Sequence, residues 1–211
     1  MHEHSNFHID EIIKRKKELK ELYLSLLLRS FAISMISIFV PVYLLIEGFS
    51  LPDVLIFYII LNIATIILSP LTAILTSKIG VKHTLFISAP ITILYFGLLH
   101  FLTEFNIPLY ALAITGALAV ALYWIPIHSD FARSGDKKHR GSQSATFILI
   151  PRMADIVAPL AGAIIVETYS FSILFAIISL ITIGAMIPPL RSSDYKSKIS
   201  WDWKKFAKKK I

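Results

Sequence analysis

The sequence predicts an all-α membrane protein with six transmembrane helices. Of its 211 residues, 55% are hydrophobic and only 17% are charged, whereas a soluble domain carries roughly 25% charged residues. The apolar residues are gathered into six stretches, each near the length of about 20 residues that a helix needs to cross a bilayer. Six such stretches could not all be buried in a soluble core of this size. The basic residues, moreover, gather at alternate ends of the stretches, as they do in membrane proteins.

Short segments of turn-forming residues separate the predicted spans. The clearest are 48–53, 106–108 and 134–136, which contain Gly, Pro, Asn, Ser or Asp. In chain order the spans are predicted over residues 22–46, 54–76, 83–102, 107–129, 142–166 and 171–190. Together they make a transmembrane domain over 22–190. A basic segment over 1–21 precedes this domain, and a basic amphipathic tail or inter-half linker over 191–211 follows it.

The basic residues predict the orientation of these spans. Nineteen of the 21 Lys and Arg residues lie before the first span, after the last, or in the second and fourth connections. The other three connections contain no Lys or Arg, and they carry Glu47, Asp53, Glu104 and Glu167 instead. Positive charge is retained on the cytoplasmic side of a membrane. Both termini are therefore predicted to be cytoplasmic, with the chain in the plasma membrane.

Composition and motifs exclude several classes of function. The net charge of +7 lies in short loops and tails without a nucleic-acid recognition motif, so we expect contact with lipid head groups and no nucleic-acid partner. The chain has no Cys, and the motifs of zinc proteases, serine hydrolases and ATPases do not occur. We expect no enzyme activity, no cofactor and no metal. A solvated terminus accounts for His2, His4 and His8 better than a metal site does.

The connection between the second and third spans carries a recognisable pattern. Residues 73–83 read Ala-Ile-Leu-Thr-Ser-Lys-Ile-Gly-Val-Lys-His. This resembles the cytoplasmic signature of the major facilitator superfamily of secondary transporters, Gly-x-Leu-x-Asp-Arg-x-Gly-x-Arg/Lys-Arg/Lys. Gly80 is expected to permit a tight reversal, and Ser77 stands where the family has the Asp of a charge relay. The resemblance makes a cytoplasmic gate motif of Leu75, Ser77, Lys78, Gly80 and Lys82.

The fifth span extends the resemblance. Residues 140–141, Arg-Gly, resemble the pair that commonly opens this helix in the superfamily, and 155–162 resemble the Gly-Pro-x-x-Gly-Gly motif of several of its subgroups. Ala158 and Gly162 are four residues apart and share one helix face, where small side chains let a neighbouring helix approach closely. Pro159 can kink the helix. These three residues form a predicted helix-packing motif.

The resemblance implies a half-bundle of two three-helix repeats that moves a small solute by alternating access. Its partners are then the lipid bilayer, a substrate of unknown identity and a second six-helix half. That half is either a missing C-terminal half or another copy. The tail over 191–211 resembles the start of the linker between halves, which favours a fragment or truncated gene product over a half-size protein that pairs. The alternatives are a non-transporting six-helix anchor or assembly partner and, third, a membrane enzyme with an unrecognised site.

Charged residues inside the predicted spans are candidate site residues, because charge at membrane depth is costly. Arg152 and Asp155 are one helical turn apart and can pair. Their pair either only orients the fifth helix or binds substrate or protons in the cavity. Arg29, in the first span, either snorkels to the cytoplasmic head groups or contacts an anion or the gate.

The family's cavity is lined by its first and fourth helices, so the resemblance makes Tyr123 and His128 candidate lining residues. Trp124 lies between them, and for this residue an interfacial aromatic belt is the favoured alternative. Asn62, in the second span, is expected to make an interhelical hydrogen bond.

Overall fold

The computed structural model describes residues 2–135 and 139–191, with the side chains of Ile13 and of residue 15 onward. This part of the chain consists of helices and short connections, without strands. The helices are α1 (His2–Ser37), α2 (Phe39–Ile46), α3 (Leu51–Ile79), α4 (Val81–His100), α5 (Leu109–Ser134), α6 (Arg140–Thr168) and α7 (Phe171–Leu190). Six stretches are long and apolar enough to cross a membrane, with α1 and α2 contributing to one of them. The predicted all-α fold with six membrane helices is confirmed.

Local sequence explains where these helices begin and end. Pro41 lacks the N–H that would bond the carbonyl of Ser37, and the first span breaks between α1 and α2 at this point. Ser50 and Asp53 form a capping box at the start of α3, in which each side chain accepts a hydrogen bond from the other's backbone N–H. Only Gly80 separates α3 from α4. Its φ of +105° is a conformation that favours glycine, which makes the sharp reversal possible.

The packing of the helices is symmetric between the first three spans and the last three. The first span packs through α1 against α6 and α7, while the fourth span, α5, packs against α3 and α4. The third helices of the two sets, α4 and α7, also contact each other. The two three-helix units therefore interlock, with the first helix of each unit lying against the second and third helices of the other, as expected for a pair of internal repeats.

Two apolar clusters stabilise the bundle at different depths. The larger includes Phe57, Phe96 and Phe175. The smaller includes Leu22 and Leu85 and lies toward the end of the bundle that contains Gly80, called here the Gly80 end. Outside these clusters, α3 and α6 are the least buried spans and carry many exposed Ile, Leu and Val side chains. Apolar faces of this kind suit contact with lipid or with further membrane helices.

Candidate functional site

A cavity of about 480 Å³ lies between the helices, with walls from α1 to α6. Its lining is mostly apolar and aromatic, but it includes three charged side chains and one histidine. These are Arg29, His128, Arg152 and Asp155. Binding sites for small molecules are typically apolar hollows of about this volume with a few polar groups that fix orientation. The cavity therefore has the size and composition of a small-molecule site.

Arg29 forms part of the buried wall of this cavity. Its side chain is 5% exposed, its Nη2 donates to Thr92 Oγ1 at 2.9 Å, and its Cζ lies 4.5 Å from the centroid of the Tyr123 ring. A cation held over an aromatic face is attracted by the negative charge of the ring face. Arg29 is thus held toward α4 and α5 and does not snorkel to the membrane surface, so the snorkelling alternative is wrong.

Asp155 joins α6 to α1. One carboxylate oxygen accepts a hydrogen bond from Ser34 Oγ at 2.7 Å, and the other lies 3.3 Å from Nη1 of Arg152, one turn earlier in α6. The Arg152 and Asp155 side chains are 74% and 48% exposed, respectively. The structure thus brings the two residues together and adds Ser34. The pair stands at the open side of the cavity, where water or another protein surface can reach it.

The fourth span contributes an aromatic wall. Tyr123 is fully buried beside Arg29, and Trp124 meets its ring edge-on at 5.6 Å. The ring of His128 lies 5.1 Å from that of Phe147, and its Nδ1 is 2.7 Å from the Trp124 carbonyl oxygen. Trp124 also lines the cavity, together with Tyr123 and His128.

At the Gly80 end, a buried ion pair fixes α4 against α5. Lys82 Nζ lies 2.6 Å from Asp130 Oδ2, and both side chains are almost fully buried. Ser77 Oγ donates to the Ile74 carbonyl oxygen within α3, at 2.7 Å. Lys78 is exposed and Leu75 half-buried on that same helix. Of the predicted gate residues, Lys82 thus makes the tertiary contact, and its partner Asp130 was not identified from the sequence.

The predicted packing face of α6 lies against α1. Ala154 and Ala158 are buried, and a Cβ atom built on Gly162 would overlap the carbonyl oxygen of Met35. Pro159, on the same helix, is half-buried. Small side chains at Ala158 and Gly162 are what allow α6 and α1 to approach at this distance.

Sequence reasoning missed Ser34, Thr92 and Asp130, which are the partners of Asp155, Arg29 and Lys82. Asp130 is a charged residue at the end of the fourth span, and this position could have identified it from the sequence as a candidate partner for a buried cation. The expected interhelical bond of Asn62 is wrong, because its Nδ2 donates to the Tyr58 carbonyl within α3. Among the side chains that the structure describes, no group of three or more His, Asp or Glu could hold a metal ion. His2, His4 and His8 lie outside those side chains.

Six apolar helices in two interlocking units, with a partly polar cavity between them, define a multi-pass α-helical membrane protein. The chain belongs to the Major Facilitator Superfamily, whose sequence model matches residues 22–198. The match covers all six spans and confirms the predicted resemblance to this superfamily. Membership implies a transporter of the major facilitator type, and the family is one of transporters and not of enzymes. No curated protein matches the chain.

Proposed function

We propose that this protein is a secondary active transporter that moves a small solute across the plasma membrane by alternating access. The observation that carries the proposal is the cavity, because its charged groups face an internal hollow at membrane depth. Charged side chains within a membrane are costly and mark substrate or ion pathways. The cavity of about 480 Å³ has room for a small organic solute.

Asp155 is the proposed coupling residue. Its two oxygens accept from groups on different helices, Ser34 on α1 and Arg152 on α6. A carboxylate at this position can take up a proton or respond to a bound substrate, and either event weakens its attraction to Arg152. Since α1 and α6 are in close contact along the Gly162 face, a change at Asp155 would be transmitted to the packing of these helices. Tyr123 and His128 complete the proposed substrate contacts.

A second six-helix unit is proposed to complete the site, as a C-terminal half or as another copy of this chain. The support is the exposure of Arg152, which is 74% exposed on a helix long and apolar enough to cross a membrane. An arginine facing hydrocarbon would be costly, whereas one facing a cavity between two halves would be hydrated or bound. Alternating access then consists of rocking one half against the other.

The loop at Gly80 is proposed to form the cytoplasmic gate. Lys82 and Asp130 hold α4 to α5 within this half, while Lys78 is exposed beside the tight turn at Gly80. Lys78 is therefore free to face the cytoplasmic end of the second half. Leu75 and Ser77, one turn or less before Lys78, complete the proposed gate surface.

Cysteine accessibility tests the proposal without knowledge of the substrate. The chain has no Cys, so Ser37→Cys, in the cavity wall, would carry a single thiol. We expect membrane-impermeant reagents to label it from either side of oriented vesicles, because an alternating cavity opens to both sides. Leu160→Cys, on an exposed apolar stretch of α6 outside the cavity, is the control and should resist both reagents.

A different pattern would favour the alternative function. An anchor or assembly partner has no need to alternate, and its cavity thiol would be labelled from one side or from neither. That outcome would refute the transport proposal, provided that the variants elute as single species in detergent and that both halves are present in the vesicles. The anchor or assembly function is supported by the large exposed apolar surface of α3 and α6, which could bind another membrane protein without any transport.

A further inference from the structure

The geometry points to a small organic anion as the substrate class, with Arg29 as the residue that binds its charged group. This inference rests on the proposed function, because it assigns a ligand to the same cavity. The ligand would have a carboxylate or phosphate head and an apolar body. Four features of the cavity support this assignment: the uncompensated charge of Arg29, the net charge of the lining, the buried donors at and beside Arg29 and the aromatic walls.

The first feature is the charge on Arg29. This guanidinium is 5% exposed, and among the side chains that the structure describes no carboxylate lies within 4.0 Å of it. Its contacts are neutral, namely the Thr92 hydroxyl and the Tyr123 ring. A buried cation without an anion loses its hydration and gains little in return. By contrast, the buried Lys82 is paired with Asp130 in the same bundle. Arg29 is thus a buried cation without a carboxylate partner among the side chains that the structure describes.

The net charge of the cavity lining is positive, which also favours an anionic ligand. The lining carries two arginines and one aspartate. Arg152 and Asp155 lie 3.3 Å apart and neutralise each other, which leaves the charge of Arg29. A ligand with one negative charge would make the occupied cavity neutral, whereas a cationic ligand would add a second unpaired charge at membrane depth.

Buried hydrogen-bond donors lie at and beside this charge. Arg29 Nη1 is buried and has no hydrogen-bond partner within the described part of the chain. The Tyr123 hydroxyl is also buried, and it lies beside the Ser25 hydroxyl. The two side chains are in contact, since the guanidinium lies over the tyrosine ring. Guanidinium N–H groups match the oxygens of carboxylates and phosphates, and a phenol can add a third donor. Because Nη1 is itself buried, an anion in the cavity would bond it once the Arg29 head turns toward the cavity.

The rest of the wall suits an apolar body. Tyr58, Tyr95, Phe96, Trp124 and Phe147 line the cavity beyond Arg29. Aromatic rings provide large apolar contact surfaces and stack with flat or aliphatic groups. A bare inorganic anion would leave these surfaces unused. These features together favour an amphipathic anion, bound by its head at Arg29 and by its body against α3, α4, α5 and α6.

Trp124 provides a direct readout of binding. It is one of three tryptophans, so Trp201→Phe with Trp203→Phe leaves it as the single indole fluorophore, half-buried in the cavity wall. The 211-residue chain would be titrated in a non-ionic detergent with cyclohexanecarboxylate, cyclohexyl phosphate and the neutral cyclohexanecarboxamide. The two anions should change Trp124 fluorescence saturably. Their affinity should exceed that of the amide by roughly tenfold to a hundredfold, the contribution of a hydrogen bond to a charged group.

Substitutions at Arg29 separate this inference from general electrostatic attraction. Arg29→Gln should bind the anions and the amide alike, while Arg140→Gln, an exposed arginine outside the cavity lining, should keep the full preference. If Arg29→Gln fails to fold, Arg29→Lys tests instead whether Arg29 binds the anionic group. It keeps the charge but loses the planar fork, so the anion affinity should fall while the preference over the amide persists. An unchanged affinity in Arg29→Lys would overturn the assignment.

The source of the anion is tested in lipid. The protein would be placed in nanodiscs of phosphatidylcholine and, separately, of phosphatidylglycerol. If the natural ligand is a soluble anion, cyclohexanecarboxylate should bind to the protein in both kinds of nanodisc. Loss of cyclohexanecarboxylate binding only in phosphatidylglycerol would identify a lipid head group as the occupant and overturn a soluble substrate. Equal responses to amide and carboxylate, or no saturable response to either anion, would also overturn the inference. The proposed transport function would still stand if Ser37→Cys were labelled from both sides, so the two failures are distinguishable.

Discussion

The carbonyl oxygen of Met35 on α1 occupies the space that a side chain at Gly162 on α6 would need. Ala158, one turn earlier on α6, is fully buried in the larger apolar cluster. The first and fifth spans are therefore in near backbone contact two helical turns after Asp155, which accepts a hydrogen bond from Ser34, the residue before Met35. Any change in the position of one helix must be accommodated by the other.

Gly162→Ala should destabilise the bundle, because the added methyl group overlaps backbone and no side chain can rotate away from it. We expect a loss of about 3 kcal/mol, the upper part of the range for overpacked cores. The measurement is the thermal unfolding midpoint in detergent. Gly184→Ala is the matched control, since a Cβ atom there meets no atom within 4 Å, and it should leave the midpoint unchanged or slightly higher. Equal midpoints for the two variants would contradict the close approach.

Asp130→Asn should lower stability strongly. The substitution removes the negative charge that faces Lys82 in an environment where both side chains are almost fully buried. Removal of one partner of a buried ion pair costs about 3–5 kcal/mol. Replacement of both residues, with Lys82→Met and Asp130→Leu, should recover much of this loss because neither position then leaves an unpaired buried charge. Denaturation followed by far-UV circular dichroism would measure both effects, and a tolerated Asp130→Asn would argue against the buried pair.

The same substitution at Asp155 should have a much smaller effect. Asp155 and Arg152 are 48% and 74% exposed, and exposed ion pairs contribute about 0–1 kcal/mol. We therefore expect Asp155→Asn, alone or with Arg152→Gln, to unfold within a few degrees of the wild type in the same assay. A loss as large as that of Asp130→Asn would show that the Arg152–Asp155 pair is a structural element and would weaken its proposed role in coupling.

The division of basic residues predicts the topology. A reporter fused after Ile211 should be cytoplasmic, and tags in the turns at 103–107 and 167–170 should be external, because 19 of the 21 Lys and Arg residues lie on the other side of the predicted spans. Protease protection in oriented vesicles would locate all three. An external C-terminus would be incompatible with six spans and a cytoplasmic N-terminus.

The sequence by itself determined the six spans, the all-α class and the family. Span length and apolar composition are local properties that the bilayer imposes on each helix separately. The tight turn at Gly80 is equally local, because it depends on the backbone freedom of one residue. The small-residue face of α6 could also be identified from spacing alone, since Ala158 and Gly162 repeat with the period of the helix.

Only the tertiary structure decided which side chains meet. Arg29 bonds a threonine 63 positions away, Lys82 pairs with an aspartate 48 positions away, and Ser34 reaches Asp155 across 121 positions. Such pairs depend on which helices pack together and on their rotation about their axes. Asn62 shows the same dependence, because it bonds within its own helix where an interhelical partner was expected. The apolar pattern of a membrane helix is nearly uniform around its circumference, so it carries little information about rotation, and the polar contacts of the cavity follow only from the packed bundle.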